Sequence, residues 1–165
     1  MRHDQRYCQS CGHPLADRMV GGVHRPVCTA CGLVAYADPK LAAVVLASLS
    51  GDLLLVRRDI EPHVGKWSFP SGYVDRGEVV ESAAVREVKE ETNMDVEIVG
   101  LIGLYSSDGS PVALAAYAAT VVGGELRPGA EAQDARFFRQ DELPAFPFPH
   151  DDQILGDWRR GFGDA

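Results

Sequence analysis

Three glutamates and an arginine crowd the end of one helix-forming stretch, Arg86-Glu87-Val88-Lys89-Glu90-Glu91. Wound at about 100° per residue, Val80, Ala83, Ala84 and Val88 form one apolar stripe. Glu87, Glu90 and Glu91 fall on that same stripe, where a merely solvated charge run would sit opposite it. Carboxylates on a core-facing side are costly unless something neutralises them. Glutamates near a helix C-terminus are also disfavoured by the dipole. Three hard oxygen donors at i, i+3 and i+4 suit Mg²⁺ or Mn²⁺. Metal ions bridging a diphosphate neutralise such carboxylates and activate water for attack at phosphorus. Arg86 stands four residues before Glu90 and is placed to orient it. The plain alternative is an ordinary acidic helix end, against which the facing and dipole arguments stand. Glu78 lies on another face and takes a structural job at the loop–helix junction, and Lys89 reads as solvated.

A second constellation is Cys8-Gln9-Ser10-Cys11-Gly12 and Cys28-Thr29-Ala30-Cys31-Gly32. Two residues between cysteines let both thiolates point at one tetrahedral ion. A glycine after each second cysteine lets the chain turn tightly. The sixteen-residue gap, with Gly21-Gly22 in its middle, suits a hairpin that returns the second pair to the first. The spacing predicts a structural Zn²⁺ held by Cys8, Cys11, Cys28 and Cys31, stapling a segment too small for its own core. His13 and His24 read as bystanders. Arg2, Arg6, Arg18 and Arg25 against two aspartates make the segment locally basic, which suits RNA or docking against an acidic body equally.

These groups need a scaffold. Residues 1–36 read as the zinc ribbon and 37–165 as a second domain, with Pro39 at the junction because a residue before proline is held extended. Leu41–Leu49 and Leu53–Val56 are strand runs joined by a hairpin signal at Ser50-Gly51-Asp52. Trp67-Ser68-Phe69 reads as a short strand ending at Pro70. Glu81–Thr92 is a helix with Asn93 as a left-handed cap. Met94–Leu104, Val112–Val122 and Ala135–Arg139 read as strands, the second buried on both faces. Asp151–Arg160 is a terminal helix with Ile154, Leu155 and Trp158 on one side. Strands mixed with helices make an α/β fold.

Charge narrows the partners. Sixteen basic against 24 acidic side chains give a net charge of −8, against the basic footprint of a general phosphate-backbone binder. A small anionic substrate stays compatible, since a metal supplies local positive charge. No apolar run reaches the roughly 18 residues of a membrane helix, and Met1-Arg2-His3-Asp4-Gln5 holds no signal-like apolar region. A cytoplasmic chain with metal-bound thiols is the expectation.

Gly72 to Met94 resembles the Nudix box: glycine, five residues, glutamate, seven residues, Arg-Glu-aliphatic, any residue, Glu-Glu, any residue, glycine, aliphatic. Glu78, Arg86, Glu87, Glu90 and Glu91 match every charged position. Asn93 replaces the glycine and tolerates the same left-handed geometry. The likeness extends to Trp67–Gly72 before the box and to the strand pair Leu41–Arg58. A Cys₄ ribbon ahead of such a domain is similar to a subgroup of ADP-ribose or FAD pyrophosphatases.

The resemblance implies an α/β/α sandwich with a mixed sheet, and Mg²⁺-dependent hydrolysis of a nucleoside diphosphate linked to another moiety. It implies Glu87, Glu90 and Glu91 as metal ligands, with the Gly72 carbonyl as a further one. Some relatives take a base or further ligand from a loop before a late strand, and Glu131 is the candidate here. The expected partner is a small-molecule dinucleotide, with a homodimer open and nucleic acid and membrane disfavoured. Phe146-Pro147-Phe148-Pro149 resembles part of the NADH-pyrophosphatase signature Ser-Gln-Pro-Trp-Pro-Phe-Pro, whose bearers also remove nicotinamide caps from RNA. Here it lies far beyond the box, lacks Ser-Gln-Pro-Trp, and reads as an extended lead-in to the last helix. Trp67, Tyr73 and Tyr105 are candidates to stack on a base, or core aromatics. Arg57 and Arg58 alternate faces, so one of them faces the phosphate site. The alternatives from other classes are a silent nucleotide sensor and a zinc-ribbon interaction protein.

Overall fold

The computed structural model describes residues 5–163, so Arg2 of the basic ribbon segment lies outside the described residues. The chain divides into two compact units, one through Pro39 and one from Lys40. The first is a hairpin. β1 (Leu15–Val20) pairs antiparallel with β2 (Val23–Cys28), turning at Gly21-Gly22 with Val20 opposite Val23. Leu15 faces Cys28 at the far end, so the hairpin brings the second Cys-X-X-Cys back to the first.

The second unit is built on one mixed sheet. β3 (Lys40–Leu49) and β4 (Asp52–Arg58) form the expected hairpin but pair only beside the turn, at Ser48–Leu53 and Leu49–Asp52. The fork they leave is filled by the next segment. β5 (Trp67–Ser68) adds to β4 and β6 (Ser71–Tyr73) adds to β3, with the Val45 amide bonded to the Pro70 carbonyl between them. β7 (Met94–Ser106) and β8 (Val112–Gly124) form a long antiparallel pair, and β8 runs parallel to β3. β9 (Ala132–Phe138) pairs with β4. The order is β5-β4-β3-β8-β7, with β6 on β3 and β9 on β4.

Helices α1 (Val80–Thr92) and α2 (Asp151–Gly161) cover opposite faces. The period-2 alternation of a strand sorts β3 between them. Ala43, Val45 and Ala47 pack towards Ala84 and Val88 of α1, while Val44 and Leu46 pack towards Ile154, Leu155 and Trp158 of α2. Each valine, leucine and isoleucine among them, taken out of water, contributes about 1.5–3 kcal/mol, and each alanine methyl less. This is the α/β/α sandwich read from the sequence. β8 is buried on both faces over Ala115–Ala119, as its unbroken apolar run suggests. Asn93 caps α1 at φ 59°, and its amide bonds the Lys89 carbonyl at 2.9 Å. Lys89 is not simply solvated: its Nζ bonds Asp95 at 2.7 Å and the Asn93 carbonyl at 3.0 Å, closing the helix end. Among the described residues, no helix is long and apolar enough to cross a membrane.

Candidate functional site

The last two turns of α1 face the fork filled by β5 and β6. There Gly72 lies so close to Glu87 that a Cβ on it would meet the Glu87 carboxylate at 2.1–2.2 Å. Any side chain at residue 72 displaces that carboxylate, which is why glycine stands there. One residue earlier, the Ser71 amide donates to Glu91 Oε2 at 3.1 Å. Glu91 is buried, at 9% exposure. Burial pushes its carboxyl up to about 8, the nearby charges of Glu87 and Glu131 push the same way, and the Ser71 amide and Arg58 oppose them. Glu87 is raised for the same first reason, burial, partly offset by Arg86.

Arg86 organises the row. Its Nε and Nη2 donate to the two oxygens of Glu78 at 2.8 and 2.9 Å, the planar fork matching a carboxylate. Nη1 donates to Glu87 at 2.6 Å and to Glu90 at 3.2 Å, and Nη2 also reaches the Tyr73 carbonyl at 3.1 Å. The sequence reading gave Arg86 to Glu90, but the shorter bonds go to Glu78 and Glu87. Glu78 takes the structural role expected of it: Arg86 first and the Asp75 amide second hold its carboxyl down at about 2. Glu90 lies at the edge of the stripe, its side chain 60% exposed against 13% for Glu87, because its angular position is the one furthest from the buried centre.

The loop from Gly124 to Glu131 closes the far side. The Gly129 amide donates to the Glu91 carbonyl at 2.8 Å, and the Glu131 carbonyl accepts from the Asp59 amide at 2.9 Å. Glu131 is exposed there, and its charge acts on both Glu87 and Glu91. Of the paired arginines, Arg58 is the one turned inward. It is buried, and its charge acts on Glu91, whereas Arg57 is exposed and donates to the Gly65 carbonyl. Alternation along β4 puts Arg58 on the side of Leu54 and Val56, and the register shift opposite it skips Gln133 of β9. The Ser71 amide was invisible in the sequence, since any residue offers one. Tyr105 is buried with its hydroxyl on Asp157, Trp67 packs edge-on to Phe138, and Tyr73 is exposed under Lys40.

The donor set fits a hard divalent cation. It offers the oxygens of Glu91, buried, and of Glu90, exposed, with Glu87 between them; Arg86 bonds Glu87 and Glu90 but not Glu91.

In the first unit the sulfurs of Cys8, Cys11, Cys28 and Cys31 all lie within 4.8 Å of one another. Separations of 3.8 Å (Cys8–Cys31), 3.4 Å (Cys11–Cys28) and 3.5 Å (Cys11–Cys31) approach the ~3.8 Å edge of a tetrahedral zinc–thiolate site. The Cys31 and Ala30 amides aim at Cys28 Sγ at 3.4 Å. The Cys31 amide first, then Ala30, bring that thiol down to about 6, against burial. Gly12 and Gly32, at φ 72° and 75°, make the tight turns expected after each pair. His13 bonds the Cys11 carbonyl and His24 bonds Asp17, so neither joins the quartet.

Comparison with known proteins gives a consistent picture. A family model described as NUDIX domain matches residues 38–158, and one described as Nudix N-terminal matches residues 6–37. The chain is 37% identical over 129 residues to the ADP-ribose pyrophosphatase of Methanocaldococcus jannaschii, covering 76% of each chain. It is 37% identical over 146 residues to the NAD-capped RNA hydrolase NudC of Stutzerimonas stutzeri, covering 86% of this chain and 51% of that protein. The chain thus spans about half the length of that relative. A solved NUDIX hydrolase from Nitrosomonas europaea superposes with a TM-score of 0.89 at 27% identity, covering 98% of this chain and 94% of that one.

Proposed function

The chain belongs to the Nudix hydrolase family, and on that premise we propose that it cleaves the diphosphate of a dinucleotide-type substrate, ADP-ribose or FAD ahead of NADH. The observation that carries this reading is the row of Glu87, Glu90 and Glu91, held by Arg86 and set against Ser71 and Gly72. Glu87, Glu90, Glu91 and the Gly72 carbonyl would hold Mg²⁺ or Mn²⁺, which when bound neutralises diphosphate charge and lowers the pKa of a water. Arg86 fixes the Glu87 and Glu90 carboxylates in register before substrate arrives, and Glu78 fixes Arg86 in turn. The Ser71 amide presents one oxygen of Glu91 and leaves the other towards the site. Glu131, exposed across from them on a loop tied to α1, is our candidate to accept the proton of the attacking water. Cys8, Cys11, Cys28 and Cys31 hold a structural Zn²⁺, for which a reducing, cytoplasmic setting is the fitting compartment.

ADP-ribose leads because the M. jannaschii relative, named for that activity, is matched over three quarters of both chains. The NudC relatives support an NADH or capped-RNA reading. Against it, the Ser-Gln-Pro-Trp segment is missing. A net charge of −8 also repels long RNA while costing a small Mg²⁺-screened ligand little. The test is kcat/KM at fixed Mg²⁺ for ADP-ribose, FAD, NADH, an NAD-capped RNA and a nucleoside triphosphate. ADP-ribose or FAD is expected to lead. A lead of about tenfold (about 1.4 kcal/mol) by the RNA or the triphosphate overturns the substrate assignment and leaves the Nudix chemistry standing. Sizing the same preparation by light scattering decides between a monomer and a homodimer.

A further inference from the structure

The end of β4 and the start of α2 carry two buried ionic side chains that the reaction as described does not use. Arg58, 8% exposed, ends β4, and Asp151, 4% exposed, begins α2. The Arg58 guanidinium spends Nε on the Pro62 carbonyl at 2.8 Å and lies over the Phe148 ring at 5.2 Å. Asp151 spends Oδ2 on the Phe148 amide at 3.0 Å. The two charges sense each other: burial pushes the Asp151 carboxyl up to about 6, and Arg58 is among the groups pulling it back. Yet they form no ion pair. Arg58's two terminal nitrogens and Asp151 Oδ1 have no hydrogen-bond partner among the described residues, and the one sealed, unpaired side-chain polar atom there is Ser68 Oγ. The open valences of Arg58 and Asp151 therefore reach solvent.

The wall that carries them is fixed in place. Phe146 stacks on Phe69 at 4.6 Å, His63 meets Phe148 edge-on at 5.0 Å, and His150 Nε2 bonds Ser107 Oγ at 2.9 Å. Two opposite charges held rigidly apart, each with one side unfilled, are completed by a ligand that carries an anionic oxygen next to a hydrogen-bond donor. Buried groups of this kind discriminate strongly, because a ligand lacking the matching atom leaves them unpaired. The Asp59 amide, next after Arg58, donates to the Glu131 carbonyl at 2.9 Å, on the loop whose Gly129 amide donates to the Glu91 carbonyl at 2.8 Å. The end of β4 is thus tied to the carboxylate row, and a diphosphate held there would present the anionic oxygen, with a hydroxyl of its neighbouring sugar as the donor.

Resting on the diphosphate reading above, we propose that Arg58 and Asp151 form a sugar-phosphate subsite, Arg58 donating to a diphosphate oxygen and Asp151 accepting from a ribose hydroxyl, and that Asp151 sets specificity for a hydroxylated sugar. The test compares kcat/KM for ADP-ribose and for analogues lacking one hydroxyl at a time, from either ribose, on the wild type and Asp151→Asn. Asparagine keeps an oxygen for the Phe148 amide. In the wild type, one deoxy analogue is expected to fall about tenfold to a hundredfold, chiefly through KM, and its identity tells which ribose is bound. Asp151→Asn lowers ADP-ribose by a similar factor and erases the preference. Asp151→Ser, which also keeps an acceptor, repeats the result if the asparagine variant folds poorly. Equal losses on every analogue, or a preference that survives both variants, overturn the subsite. If the wild type cleaves none of these compounds, the diphosphate reading fails instead. Calorimetric binding of the same compounds then decides the subsite, and equal affinities overturn it.

Discussion

The two units of this chain set out candidate metal ligands in opposite ways. Among the described residues up to Pro39, the buried apolar side chains are Cys8, Val27 and Cys28, and two of those three belong to the cysteine quartet. From Lys40 onward, one sheet is packed on both faces by residues such as Leu46, Leu54, Val88, Ile154 and Trp158. A segment that buries so little apolar surface cannot offset its own conformational entropy, so in the ribbon metal binding is folding energy. In the second unit apolar packing holds the sandwich, and it takes Glu87 and Glu91 out of water at a cost that a bound cation would relieve. On the proposed function, a divalent ion meeting anionic ligands would create structure in one unit and chemistry in the other.

Stripping zinc is the largest perturbation of this contrast, since apparent binding energies of structural zinc sites run to about 10–16 kcal/mol. Metal analysis is expected to give one zinc per chain. Chelation, or Cys28→Ser, is expected to open residues 6–37 to protease while the fragment from Lys40 onward resists. Zinc-free protein with an intact ribbon contradicts this. Trp158→Ala tests the other side. Removing a fully packed side chain from the α2 face costs about 3–5 kcal/mol in denaturant unfolding, with zinc content unchanged.

A subtler test sharpens the cost that the cation relieves. Burial raises Glu91 from an ordinary carboxyl value to about 8 in the metal-free protein. A raised folded pKa means stability that is fully present below the unfolded value and lost as pH rises through 8. Metal-free wild type is therefore expected to lose stability from about pH 5 to 8. Glu91→Gln flattens that slope, and saturating Mg²⁺ restores the wild type. Thermal melts across pH with and without Mg²⁺ read all three, and a flat wild-type profile contradicts the burial argument. The smallest effect is expected of Asn93→Gly. It relieves the left-handed backbone at φ 59° but loses the Asn93 Nδ2 bond to the Glu125 carbonyl at 2.7 Å. The net change stays within about 1 kcal/mol, with unchanged kinetics.

Much of this was legible in the residues because it depends on local periodicity. The helical period placed Glu87 and Glu91 on the buried side, the doubled Cys-X-X-Cys with Gly21-Gly22 between its halves implied a returning hairpin, and the apolar run Val112–Val122 implied a strand covered on both faces. What was not legible depends on long-range register. The β3–β4 hairpin opens so that β6 can enter, which puts the Ser71 amide on Glu91. Which side of β4 faces the carboxylates, and so which arginine is buried, is set by the packing of α1, and the start of α2 brings Asp151 towards Arg58. None of these leaves a mark on the spacing of nearby residues. Lys89 shows the opposite error: a lysine on the far face of a helix reads as solvated until the following strand supplies Asp95.

On the proposed function, the Glu87, Glu90 and Glu91 row carries metal-dependent diphosphate cleavage on a fold that does not need the metal. The most direct measurement is the Mg²⁺ dependence of ADP-ribose cleavage to AMP and ribose 5-phosphate by wild type, Glu90→Gln and Glu91→Gln, alongside their circular dichroism. The wild type is expected to turn over only with divalent metal, and both variants to fall roughly a hundredfold or more with unchanged spectra. Variant rates within a few-fold of wild type at saturating Mg²⁺ contradict it.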